Sequence, residues 1–134
     1  MKGRQTQREK VLAIEEWVYR NVKKVPTFSL PTARDVFVKK VGDCNEHAVL
    51  FAALARASGI PCAIASGMVY ASDGFYYHAW DLVNIDGAWA PVDSTFGQFP
   101  ADATHVVLGV GDISDGVEIM QFLTNIRIQV VEAR

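Results

Sequence analysis

A chain of 134 residues, half of them hydrophobic and 21% charged, has the length of one domain and a globular rather than a disordered balance. At this length it buries roughly two thirds of its unfolded surface and needs no staples to hold a core. A formal charge of −2 gives no electrostatic reason to expect nucleic acid or an anionic membrane as a partner.

No apolar run approaches the ~20 residues of a membrane helix. The amino terminus is polar and lacks the apolar region of a signal peptide, and its basic stretch from Lys2 to Arg8 reads as a solvated tail. The expectation is a single domain over 1–134, either an intracellular protein or a domain cut from a longer chain.

Along the chain, Val11, Ile14, Trp17, Val18 and Val22 recur at steps of three and four, which predicts an amphipathic helix from Thr6 to Val22. Pro26 and Pro31 bracket a connection, and a short helix is expected from Thr32 to Lys40 with Thr32 as its cap. Gly42 breaks the chain. Asp43 then caps a third helix, and Glu46 stands where a capping box needs it. That helix runs to Ala57 and is apolar nearly all round. Gly59 and Pro61 end it.

Beyond it the period changes to strands: Cys62 to Tyr70 with Gly67 marking a bulge, Tyr76 to Ile85, Trp89 to Val92, Thr104 to Val110 and Ile126 to Val131. Asp86-Gly87 between two apolar runs is a hairpin signal, and pairing around it makes opposed residue numbers sum to about 173. Helices first and strands afterwards give an α+β fold with an antiparallel sheet. A helix from Cys44 to Ala57 is ~20 Å long. That argues against a bridge to Cys62, because a disulfide needs Cα atoms within about 7 Å.

The chemistry-bearing residues follow from this layout. Cys44 falls in the first turn of a buried helix, among unsatisfied backbone N–H groups at the positive end of the dipole. Those conditions are expected to acidify a thiol to between about 3.5 and 7.5 and to hold a developing oxyanion. A small core residue that happens to begin a helix is the plainer alternative. His78 lies in the second strand and Asp93 ends the third. Their numbers sum to 171, so the hairpin brings a carboxylate beside an imidazole. A solvent-facing histidine beside a turn aspartate would share that spacing.

His47, three residues after Cys44, is a rival base without an evident orienting carboxylate. Asp43, Cys44, Glu46 and His47 resemble a metal-ligand group, but capping already accounts for Asp43 and Glu46. Trp80, Tyr77 and Gln98 are candidates to line a substrate cleft, with core packing the stronger reading for Trp80. His105 carries no assigned chemistry, and Cys62 reads as a buried strand residue.

Gly42-Asp43-Cys44-Asn45-Glu46-His47-Ala48, the apolar helix and Gly59-Ile60-Pro61 resemble the cysteine segment of the transglutaminase-like superfamily. His78-Ala79-Trp80 resembles its histidine strand, and Trp89-Ala90-Pro91-Val92-Asp93-Ser94-Thr95-Phe96-Gly97-Gln98 its aspartate segment, in the same order. The resemblance covers roughly Lys10 to Val131 and extends to bacterial relatives around His105. It implies a papain-like core and a Cys-His-Asp triad of Cys44 as nucleophile, His78 as general base and Asp93 as its orienting carboxylate. Where the family has proline after the aspartate, this chain has Ser94.

The resemblance further implies acyl transfer on an amide of a protein or peptide substrate, without cofactor or metal. Hydrolysis is the expected outcome, and transfer to a second amine the alternative. A binding module on the same fold is a further class. The flanking β-domains of the large animal transglutaminases are not in this sequence, so calcium control and protein cross-linking are not carried over.

Overall fold

The computed structural model describes residues 5–27, 30–114 and 116. Three helices precede a four-stranded antiparallel sheet, the α+β arrangement expected. The last predicted strand, Ile126 to Val131, lies outside the described residues.

Helix α1 spans Gln7–Asn21 and α2 spans Ala33–Lys39. Each begins at a threonine whose hydroxyl accepts a backbone N–H three residues on: Thr6 from Glu9 at 3.1 Å and Thr32 from Asp35 at 3.2 Å. Lys40 closes α2 in a left-handed conformation, with φ of 53°. The chain then forms a pairing that periodicity did not predict, in which β1 (Lys23–Lys24) runs parallel to β2 (Val41–Gly42). These strands are two residues each and mostly exposed, so no hydrophobic pattern marks them. Their pairing ties the approach to the third helix onto the segment leaving the first.

Helix α3, Cys44–Ala57, has the capping box read from the sequence. The Asp43 carboxylate accepts the Cys44 N–H at 2.9 Å, and Glu46 reaches back to the Asp43 N–H at 3.0 Å. Gly42 is required by contact, since a Cβ there would meet the Glu46 Cβ at 2.2 Å.

The sheet consists of β3 (Cys62–Ala71), β4 (Gly74–Ile85), β5 (Ala88–Val92) and β6 (His105–Gly111), in the order β5-β4-β3-β6. Asp86 and Gly87 both take positive φ, 53° and 89°, as a tight hairpin demands. Asp81 pairs with Val92 and Ile85 with Ala88, the register expected from the turn. The irregularity near Gly67 lies in the pairing with β6. Ser66 faces Gly109 and Gly67 faces Val107, so the extra residue is Leu108 on the partner strand. Gly67 itself is fixed by close approach, because a Cβ on it would meet the Val106 carbonyl oxygen at 2.0 Å.

The core lies between the helices and one face of the sheet. Val11 and Val18 of α1 and Leu50, Phe51 and Ala55 of α3 pack with Ile64, Ala79, Val83 and Val92 from the strands. Complete burial of a side chain the size of Phe51 or Leu50 stabilises by about 1.5–3 kcal/mol, more than a cap contributes (about 1 kcal/mol). Packing therefore holds α3 in place, and its cap sets where the helix begins.

Candidate active site

The start of α3 meets β4 where the sheet is incomplete. β5 pairs with β4 over Asp81–Ile85, and among the described residues Gly74–Trp80 has no paired strand on that side. Cys44 lies against this open stretch, where the backbone N–H of Ala79, directly after His78, and that of Asn45 both favour its thiolate. Two effects oppose them. Burial is the larger, with the Asp43 and Glu46 carboxylates adding to it, and together they push the Cys44 thiol up to about 12.

The expected acidification at the helix start is therefore not what the structure gives. The dipole favours a thiolate, but desolvation of a partly buried sulfur beside two capping carboxylates outweighs it. The Cys44 N–H, expected to await an oxyanion, is bonded to Asp43 Oδ1. The sulfur's own weak hydrogen bond goes to Asn45 Oδ1 at 3.9 Å, and among the described residues no hydrogen bond joins it to His78.

His78 and Asp93 do come together. His78 Nε2 donates to Asp93 Oδ2 at 2.7 Å, with both side chains buried. Asp93 Oδ1 accepts the backbone N–H groups of Thr95 and Phe96 at 3.0 Å each. Burial alone would raise this carboxyl, but the bonds from His105 and His78 prevail and hold it well below the ordinary carboxylate value. With Nε2 donating to Asp93, the lone pair of His78 resides on Nδ1, the tautomer a general base needs. Phe96 stacks on the His78 ring at 4.7 Å between centroids and Trp80 flanks it at 5.9 Å, which restricts its rotation.

The residue that sequence reasoning passed over is His105. Its Nε2 also bonds Asp93 Oδ2 at 2.7 Å, and its side chain is 4% exposed. Opposite burial, its bonds to Asp93 and Asp102 raise it above the ordinary imidazole value. The segment Asp102-Ala103-Thr104-His105 was the signal available: Asp102 Oδ1 accepts the Thr104 N–H, and this turn aims the ring inward.

His78, Asp93 and His105 bring metal-ligand types within 4.8 Å of one another. Both imidazole Nε2 atoms are already committed to one carboxylate oxygen through their hydrogens, so the trio reads as a hydrogen-bonded charge network.

The remaining candidates fall into place around this centre. Tyr77 donates its hydroxyl to Asn45 Oδ1 at 3.0 Å, beside Cys44, and burial with the nearby sulfur pushes it up to about 12. Trp80 is 1% exposed and packs against both histidine rings. Gln98 spends its amide on Asp102, donating from Nε2 at 3.0 Å and accepting at Oε1, which braces the Asp93–Asp102 loop. His47 turns Nδ1 back onto the Asp43 carbonyl at 2.7 Å. Cys62 donates to the fully buried Asp81 at 3.6 Å, and burial with that carboxyl pushes its thiol upward.

Comparison with known proteins locates this arrangement. A family model described as the transglutaminase-like superfamily matches residues 1–94. Kyphoscoliosis peptidase of Mus musculus is 32% identical over 81 residues, 52% of this chain and 12% of that protein. The human protein of the same name is 32% identical over 74 residues, 47% of this chain and 11% of that protein. The chain thus spans a small part of the curated relatives it matches. Among solved structures, a candidate cysteine protease from Cytophaga hutchinsonii superposes with a TM-score of 0.69 at 31% identity, covering 78% of this chain and 37% of that one. LapG of Legionella pneumophila shares the fold at a TM-score of 0.59 and 12% identity, covering 90% of this chain and 81% of that one.

Proposed function

The chain belongs to the transglutaminase-like superfamily, and on that footing we propose that it is a thiol enzyme that hydrolyses an amide of a protein or peptide, with Cys44, His78 and Asp93 as its triad. The observation that carries the reading is the 2.7 Å bond from His78 Nε2 to Asp93, on the stretch of β4 that also meets the Cys44 sulfur.

In the proposed cycle the Cys44 sulfur bonds to the substrate carbonyl carbon while its proton passes to His78 Nδ1. A thiol pushed up to about 12 is neutral at rest, so the thiolate is made within the cycle rather than stored. The backbone N–H groups of Asn45 and Ala79 already favour negative charge on the sulfur, and in this cycle they serve as donors to the developing oxyanion. Collapse breaks the C–N bond, and His78 delivers its proton to the departing amine. Water then attacks the thioester, gives a proton to His78 and releases the acid, and that proton returns to the sulfur. Asp93 holds the imidazole in one tautomer and stabilises its cation throughout.

The test uses a peptide bearing a glutamine, offered together with a labelled amine. Hydrolysis yields free acid, and trapped Cys44 thioester is detected by mass spectrometry after acid quench. Accumulation of labelled product instead of acid would mean transamidation. Full turnover by Cys44→Ala would remove the thiol from the reaction altogether.

A further inference from the structure

His105 is held at both ring nitrogens by accepting groups, and the one hydroxyl near it, Thr104 at 3.5 Å from Nδ1, already donates its hydrogen to the Asp102 carboxylate. Nε2 meets the Asp93 carboxylate at 2.7 Å, and Nδ1 meets the Asp102 carbonyl oxygen at 3.0 Å and the Asp102 carboxylate at 3.1 Å. A neutral imidazole has one N–H and can satisfy one side of this arrangement. An imidazolium satisfies both. We propose that His105 is a cationic positioning residue, charged through the neutral pH range, that clamps the Asp93 carboxylate and thereby limits how strongly His78 holds its proton. This regulatory role rests on the triad reading above.

The argument is one of shared charge. Asp93 Oδ2 receives both histidines, so the negative charge that would stabilise a His78 cation is already paired with His105. The rings of His78 and His105 are 5.7 Å apart between centroids, close enough for two positive charges to repel in a buried setting. His105 thus orders the carboxylate and at the same time lowers the basicity of His78. An amide base of this kind must release its proton to the leaving amine, and a His78 too tightly bound to Asp93 would hold it.

The other ionisable groups around the trio are accounted for. Asp102 faces His105 from its own loop and is held below its ordinary value, first by the Thr104 hydroxyl. Glu15 on α1 and Asp81 on β4 both feel the Asp93 charge, and burial raises each of them. Neither is bonded to His105.

Long-range proton–nitrogen spectra of the full chain, labelled with nitrogen-15, read the protonation of each ring nitrogen directly. The sequence holds His47, His78 and His105, so single substitutions assign them. Both nitrogens of His105 should be protonated from pH 6 to pH 8. In His105→Gln, whose amide can still donate to Asp93 but carries no charge, the titration of His78 should move up by about one pH unit.

A lone pair on either His105 nitrogen at pH 6 would overturn the proposal. So would an unchanged His78 titration in His105→Gln, the result of a merely structural role. The measurement involves no thiol chemistry, so it remains decisive even where peptide hydrolysis fails and the triad reading falls.

Discussion

At the scale of single residues, the site turns on one carboxylate. Asp93 accepts two imidazoles and two backbone N–H groups while fully buried. Because its proton affinity is depressed by folding, it contributes stability that is whole above the ordinary carboxylate range and is lost as pH falls toward its folded value. Asp93→Asn should therefore weaken the protein at neutral pH by about 3 kcal/mol, chiefly by taking from the His105 cation its buried counter-charge and leaving it only the more exposed Asp102 carboxylate. It should also flatten the loss of stability below roughly pH 4. Urea denaturation at pH 7 and at pH 3 checks both parts.

The pairing of His78 with Asp93 was legible in the sequence, since a two-residue turn fixes which residues oppose each other. His105 was not, because its strand joins the far side of β3 after a long connection and only the fold carries its ring back. The acidity of Cys44 was misjudged for a related reason. A helix start is a local feature, whereas burial is decided by everything packed around it.

At the scale of elements, two devices position the chemistry. The capping box begins α3 at Cys44 and no later. Gly42→Ala forces a Cβ into the Glu46 side chain, so it should displace that half of the box and cost about 1–2 kcal/mol. Thermal unfolding should register this together with slower alkylation of Cys44, while Gly59→Ala, with open space around its Cβ position, should act only through its positive φ.

The Asp86-Gly87 hairpin is the second device. Strand side chains alternate with a period of two, so a residue inserted after Gly87 slips the register by one and turns Asp93 away from His78. Such a variant should retain helical circular dichroism and lose the His78–Asp93 bond, with activity falling by at least about a hundredfold. These strands were legible because two apolar runs flank a turn that has a chemical signature. The β1–β2 pairing carried neither signal.

At the scale of the whole molecule, the site lies where β5 ends its pairing with β4. Beyond the last paired residue of β5, Val92, the upper half of β4 has no partner on that side among the described residues, and α3 brings the Cys44 sulfur to that edge. The chain after Val92 then packs over the helix start, where the Ser94 hydroxyl reaches the His47 carbonyl at 3.4 Å. Serine takes the place of the family's proline here and uses a donor that proline lacks.

The most direct test of the account is the pH profile of Cys44 alkylation by iodoacetamide, followed by mass spectrometry in the wild type and in His78→Ala, with Cys62 as internal reference. A sulfur that yields its proton to His78 should show an inflection well below the alkaline rise of a thiol pushed up to about 12. That inflection should vanish in His78→Ala, and Cys62, bonded to Asp81, should stay unreactive throughout. Superposable wild-type and variant profiles, rising only at strongly alkaline pH, would contradict it.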